Sequence, residues 1–383
     1  LARSRQLVLK TDERNSKIAI TVQNKLRGYY IENAESEPHK LRNRKRPTET
    51  KKEEEAWERG EARDKMSSKS FTKEVIYDTD RVKYNIHVEN TGEDTSKRNN
   101  DDDETLKTEE ENWYVDQELR KLAIQEACRG IPRDLSYKHL MEDPKNKLGH
   151  MLIDDQRKVI YCYVPKVACT NWKRLWLILN GLSNTTDPLS IPMYLPHAMH
   201  GYMMLTNQRL GSKLLEHKLQ TYTKFIFVRH PFERLLSAYR DKLENLGPKR
   251  KPYWKIAVNM MSKVRKNSHQ VNADGRGLRF EEFVRFALAN PEWFNDDHFT
   301  SYEDLCHPCA ISYDFIGKYE SLVDDAEHIL RNIGAPPEMH FPPFMPWANT
   351  SDVINKYYGT LSEEQIMTLY KIYQRDFQLF QYD

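Results

Sequence analysis

Two stretches gather cations and donors around a short turn. In "PKVACTNWKR" (165–174), Lys166 precedes the small residues Ala168 and Cys169, then Thr170 and Asn171, then Lys173 and Arg174. In "RHPFERLLSAYR" (229–240), Arg229, Arg234 and Arg240 accompany the hydroxyl of Ser237. Small residues let backbone N–H groups approach an anion, polar side chains add donors, and an arginine fork grips a phosphate-like group. The chemistry on offer is the binding of anionic groups at two places. Glu233, Arg234, Asp241 and Lys242 also fit the i,i+4 and surface-charge pattern of a solvated helix face, which explains some of these residues. That pattern does not account for two loops of one plan.

The elements that must position these residues are legible around them. "KVIYCYVP" (158–165) is a short β-branched and aromatic run ending at proline, the mark of a buried strand. "TNWKRLWLILNGL" (170–182) follows as a helix, with Thr170 or Asn171 as its cap and Gly181 near its end. "FIFV" (225–228) repeats the strand, and Pro231 opens the next helix where a missing N–H does no harm. A loop from a strand end to a helix start presents unpaired N–H groups at the positive end of the helix dipole. Lys173 and Arg174 oppose that dipole, a cost that a bound anion offsets. Two such loops at the ends of parallel strands suit one ligand with two separated charged ends.

The rest of the chain sets bounds. Its 383 residues carry a net charge of +2, so no global basic field argues for nucleic acid. Residues 1–112 hold 24 Lys and Arg and 25 Asp and Glu, leaving 35 and 32 for residues 113–383. The first part is therefore expected to be a charged, largely disordered stem, with a local hairpin over "FTKEVIYDTDRVKYNIHV" (71–88). From "WYVDQELRKLAIQEACRGI" (113–131) a helix is expected to open the folded domain, residues 113–383. "LRFEEFVRFALAN" (278–290) and "LSEEQIMTLYKIYQRDFQLF" (361–380) read as amphipathic packing helices. "HFPPFMPWANTSD" (340–352) reads as a loop. Neither GxxxxGK[ST] nor GxGxxG occurs, which argues against an ordinary ATPase or a dinucleotide oxidoreductase.

"PKVACTNWKR" and "FVRHPFERLLSAYR", with "CHPC" at 306–309, "YDFIGKYE" at 313–320 and "LYKIYQRDFQLFQYD" at the end, resemble a known family. It is that of the Golgi carbohydrate sulfotransferases, in the branch of the chondroitin and dermatan 4-O-sulfotransferases, the GalNAc-4-sulfotransferases and the HNK-1 sulfotransferase. The resemblance covers residues 113–383. It implies an α/β, P-loop-like sulfotransferase fold with a central, mainly parallel sheet flanked by helices. It implies 3′-phosphoadenosine 5′-phosphosulfate as cofactor, its phosphosulfate held by Pro165, Lys166, Val167, Ala168, Cys169, Thr170 and Asn171. The 3′-phosphate would lie on the segment Arg229, His230, Pro231, Phe232, Glu233, Arg234, Leu235, Leu236 and Ser237, chiefly on Arg229 and Ser237. Lys166 would act in catalysis by neutralising charge on the leaving phosphate, and no metal is required. The acceptor would be a glycosaminoglycan or another GalNAc-containing glycan, most directly the 4-hydroxyl of GalNAc in chondroitin. The implied location is the Golgi lumen, as a type II membrane protein whose N-terminal anchor is not in this chain.

A sugar hydroxyl needs a general base. "IPMYLPHAMHGYMM" (191–204) offers His197 and His200 between the two loops, and loose alignment with a histidine of the related enzymes favours His197. The chain departs from the relatives' pattern over residues 198–206, and Glu233 and Glu320 are carboxylate alternatives. "GPKRKPYWK" (247–255) and "SKVRKNSH" (262–269) are the basic runs suited to a polyanionic acceptor. The five cysteines, 128, 162, 169, 306 and 309, lack a second pair at zinc spacing, so disulfides with one thiol left over are expected. Asn184 and Asn349 head glycosylation triplets. Two rival readings remain: a nucleotide-dependent phosphotransferase, which needs Mg²⁺ and a carboxylate at a strand end, and a non-catalytic module that binds sulfated glycans.

Overall fold

A computed structural model describes residues 7–12, 17–27, 68–77, 101–208, 210–246, 251–266, 271–343 and 353–382. The chain divides into two units, Leu1–Glu104 and Thr105–Asp383. In the first, β1 (Leu7–Asp12), β2 (Lys17–Arg27) and β3 (Ser68–Tyr77) form an antiparallel sheet in that order. Only part of the hairpin expected over residues 71–88 is described. Its first half is β3, which pairs with β2 so that Tyr77 faces Ile18. Residues 78–88 lie outside the described residues.

The second unit is built on β4 (Met151–Asp154), β5 (Val159–Cys162), β6 (Thr223–Val228) and β7 (Phe315–Lys318), side by side in that order. β4 pairs antiparallel with β5, while β5, β6 and β7 run parallel. Every residue of β4 and β5 is buried. That fits the unbroken apolar run of β5, because a parallel strand is covered on both faces. The expected α/β architecture with a mainly parallel sheet is therefore observed.

Helix α1 (Asp101–Ala127) starts before the expected Trp113 and closes the β7 edge. Gln117 Oε1 accepts from the Ile316 N–H at 2.8 Å, and Arg120 donates to the Ile316 carbonyl at 2.7 Å. Buried Asp325 anchors the same helix, accepting from Trp113 Nε1 at 2.7 Å and Arg120 at 2.8 Å. An unpaired sheet edge is thus covered by side chains that satisfy its backbone.

Four further helices bear on the site. They are α2 (Cys169–Leu179) after β5, α3 (Pro231–Tyr239) after β6, α4 (Lys251–Val264) and α5 (Phe280–Ala289). The long C-terminal α6 (Glu363–Phe380) opens with a capping box between Ser362 and Gln365. One core cluster joins the sheet to α2, centred on Tyr161, Trp172, Trp176 and Phe225. A second joins α3, α4, α5 and α6 around Tyr239, Phe280, Phe283 and Phe377. The two loops singled out by sequence lie between these cores. Disulfides Cys128–Cys309 and Cys162–Cys306 tie the "CHPC" segment to the end of α1 and to β5, leaving Cys169 as the thiol. Among the described residues, no helix is long and apolar enough to cross a membrane.

Candidate active site

The first loop turns by backbone strain rather than by glycine. Lys166 has φ +72° and Ala168 φ +55°, both left-handed. Such a conformation costs a non-glycine residue on the order of 1–2 kcal/mol and persists only where its surroundings hold it. The left-handed Ala168 is the cap of α2, so the helix begins at Cys169 without a side-chain cap. The cap expected at Thr170 or Asn171 is thereby displaced, and both side chains sit in the first turn. Residues 165–168 form a turn, and the bonds of the first helical turn begin with Asn171 and Trp172 donating to the Ala168 carbonyl. Backbone donors at such a helix start make an anion cradle.

Lys166 stands at its mouth, 3.0 Å from Asp241. Asp241 belongs to a π-helical turn, Arg240–Glu244, that continues α3, and such turns recur at functional sites. The cradle is bolted from below by Arg234. Its buried guanidinium donates to the carbonyls of Pro165 at 3.1 Å, Thr300 at 2.6 Å and Asp297 at 3.0 Å. Arg234 thus spends its donors on backbone beneath the loop.

The second loop presents Arg229 at the end of β6. Nε and Nη2 donate to Glu233 Oε2 at 3.1 and 3.0 Å, and the guanidinium lies over the Tyr319 ring, 4.1 Å from its centroid. Nη1 makes no hydrogen bond among the described residues, which leaves one donor edge for a ligand. Tyr302 clamps the backbone here: its hydroxyl accepts from the Arg229 N–H and donates to the Arg229 carbonyl, both at 2.8 Å. Half-buried Ser237 lies two turns along α3. The other residues of the segment serve structure. Leu235 and Leu236 are core, Phe232 stacks on Tyr358, His230 packs edge-on to Phe377, and Pro231 begins the helix.

His197 meets the cradle directly. Its Nε2 is 3.1 Å from the Thr170 hydroxyl. Partial burial of the ring, then the positive charge of Lys173, with smaller contributions from His200, Lys242 and His298, hold its pKa down to about 4. His200 turns its Nδ1 to the His197 carbonyl at 2.6 Å and sits edge-on to Tyr163. The carboxylate alternatives are engaged elsewhere: Glu233 with Arg229, and Glu320 with the His230 N–H and the Tyr382 hydroxyl.

Sequence reasoning missed the wall behind these groups. Lys173 is buried, its ammonium 3.5 Å above the centre of the Tyr163 ring, and burial lowers its pKa to about 8. Tyr163 also stacks obliquely on His150, whose Nδ1 meets the Tyr163 carbonyl at 2.9 Å. His150 Nε2 reaches Asp297 at 3.4 Å. His150, Tyr163, Asp297 and Thr300 line a pocket of about 390 Å³. Nothing in the spacing of positions 150, 163 and 297 connects them. Of the basic runs, Lys249 and Arg250 lie outside the described residues, and Arg265 is committed to buried Glu282 at 2.7 Å. No cluster able to hold a metal ion occurs among the described residues.

Comparison with known proteins bears on this arrangement. A family model described as the sulfotransferase family matches residues 149–383, from β4 through both loops to the C-terminus. Carbohydrate sulfotransferase 11 of Rattus norvegicus is 35% identical over 283 residues, covering 72% of this chain and 79% of the relative. Carbohydrate sulfotransferase 9 of Homo sapiens is 34% identical over 292 residues, 73% of this chain and 62% of the relative. Carbohydrate sulfotransferase 12 of Mus musculus is 38% identical over 259 residues, 62% of this chain and 61% of the relative. No solved structure matches. The parallel sheet, the match across its whole length and the relatives agree: this chain belongs to the sulfotransferase family, as an enzyme of the carbohydrate sulfotransferase kind.

Proposed function

We propose that the enzyme takes its sulfuryl group from 3′-phosphoadenosine 5′-phosphosulfate and delivers it to the 4-hydroxyl of GalNAc in chondroitin or dermatan. One observation carries the cofactor assignment: the cradle of residues 165–171, a turn into a helix start with two left-handed residues and Lys166 at its mouth. A group with a doubly anionic 5′ end fits such a donor set, and the free edge of Arg229 with Ser237 fits a separate phosphate. The cofactor, when bound, supplies an activated sulfuryl group on a phosphate leaving group. What remains for the protein is positioning and charge.

Lys166 and the amides of residues 166–170 hold negative charge at the leaving side. Asp241 keeps the Lys166 ammonium oriented until that charge arrives. His197, neutral because partial burial and Lys173 hold its pKa down, receives the acceptor hydroxyl proton at Nε2. Arg234 fixes the Pro165 carbonyl and with it the loop. The acceptor assignment rests on the likeness of the two loops to the 4-O-sulfotransferases. The two disulfides suit an oxidising compartment and support a place in the Golgi lumen. The catalytic unit is taken to begin at α1, whose side chains complete the sheet edge.

Incubation with sulfur-labelled cofactor and a panel of desulfated chondroitin, dermatan, heparan and GalNAc-terminated glycans tests the reading. Label on the 4-hydroxyl of GalNAc in chondroitin or dermatan is the expected result. Label confined to another glycan moves the acceptor, and no label on any sugar sinks the cofactor and acceptor assignment together.

A further inference from the structure

The segment that carries His197 exposes an uncharged aromatic strip. Residues 188–208 contain no Asp, Glu, Lys or Arg in a chain of which 30% is charged. Met193, Tyr194 and Tyr202 are 71%, 72% and 69% exposed, the highest of the exposed large apolar side chains among the described residues. The short helix Leu195–Met199 explains why they face out. Leu195, Pro196 and Met199 turn inward, Pro196 buried and the other two packed against the sheet core. Tyr194 and His197 stand three residues apart, on one side of that turn. Tyr202 follows in the next turn, His200–Met203, whose Met203 is buried. Two tyrosines thus bracket the histidine that contacts Thr170 of the cradle.

Exposed apolar area of this kind marks an interaction surface. We infer that Tyr194 and Tyr202 are positioning residues for the acceptor glycan, their rings packing against the apolar C–H faces of sugars next to the one held at His197. This rests on the proposed carbohydrate acceptor. The occupant follows from charge and place. Without Lys or Arg the strip has no means to attract anionic lipid headgroups, and on a chondroitin chain it would meet the apolar sugar faces while leaving the uronate carboxylates in solvent. A tyrosine ring offers an apolar face with a hydroxyl that can meet a sugar hydroxyl. His197, which meets Thr170 of the cradle, belongs to the same segment, so a chain lying on it is brought near the base.

The test compares wild type with Tyr194→Leu/Tyr202→Leu and Tyr194→Phe/Tyr202→Phe in the full chain. Steady-state transfer is measured to unsulfated chondroitin polymer and to a GalNAc monosaccharide glycoside. Loss of both rings should raise the polymer KM about tenfold or more, with kcat nearly unchanged. The monosaccharide, which reaches only the reacting position, should change less than twofold, and the Phe pair should restore most of the polymer affinity. Tyrosine fluorescence on titration with the polymer, read without cofactor, supplies a measurement that does not need turnover. A polymer-dependent change that disappears in the Leu pair supports the platform even if no transfer occurs, in which case only the proposed reaction falls. Equal loss for polymer and monosaccharide, full polymer affinity in the Leu pair, or vesicle binding that depends on the tyrosines while polymer binding does not, overturns the inference.

Discussion

A pKa of about 4 makes His197 a weak base but an unprotonated one throughout the neutral and mildly acidic range. The sign of its pH dependence follows. If His197 takes the acceptor proton, the competent form is the neutral ring, so kcat/KM should fall as pH drops through about 4 rather than through the ordinary histidine value. After burial, the charge of Lys173 does most to hold that pKa down, so Lys173→Met should move the acid limb upward by a measurable fraction of a pH unit. A limb that stays put in the folded variant removes His197 from the proton's path. Lys166 makes its claim on kcat: Lys166→Ala should lower it by about 10² or more, the scale expected when one strong electrostatic interaction with the transition state is removed. Turnover near wild type in a folded variant would count against that role. At this scale the sequence was legible where residues are local. The strand–turn–helix settings of Lys166 and Arg229 were readable because their signals lie within a few positions of one another. The pairing of Lys166 with Asp241 and of Lys173 with Tyr163 was not, since each joins groups from different elements.

Strand, turn and helix followed the apolar runs and the proline and glycine punctuation. Gly181, at φ +64°, ends α2 as expected, with its neighbour Leu182 donating back to the Leu177 carbonyl. The cap of α2 was misplaced because Thr170 and Asn171 are good cap residues. A left-handed alanine is not a signal that composition carries. Arg234 looked like an anion ligand for the same reason: its charge is visible in the sequence, while the three carbonyls that occupy it are not. Arg234→Lys cannot reach all three, and should cost roughly 2–4 kcal/mol of stability while lowering kcat through a loosened loop. Urea unfolding read beside kcat checks both, and an unchanged midpoint would show that the carbonyls need no such bolt. Gly317 makes an independent claim about the sheet. A Cβ there would stand 2.2 Å from a Phe227 ring carbon on the paired strand, so Gly317→Ala should destabilise by about 1–3 kcal/mol. A melting temperature equal to wild type would mean that the ring has room to move.

Over the second unit, the two loops lie at the seam between two cores. The cradle hangs from β5 and α2, and Arg229 and Ser237 from β6 and α3. The parallel order of β5 and β6 that sets both loops at the C-terminal ends of neighbouring strands was inferable from their repeated plan. The disulfide pairing and the docking of α1 through Asp325 were not, because each joins positions more than a hundred residues apart. If one ligand spans the seam, the two loops must sense different parts of it. Calorimetric titration of 3′-phosphoadenosine 5′-phosphate and of adenosine 5′-phosphate into wild type, Lys166→Ala and Arg229→Ala measures this directly. Lys166→Ala should weaken both ligands, and Arg229→Ala should weaken only the one that carries a 3′-phosphate, by about tenfold or more. Equal weakening of both ligands by Arg229→Ala, or indifference of both to Lys166→Ala, would contradict a cofactor laid across the two loops.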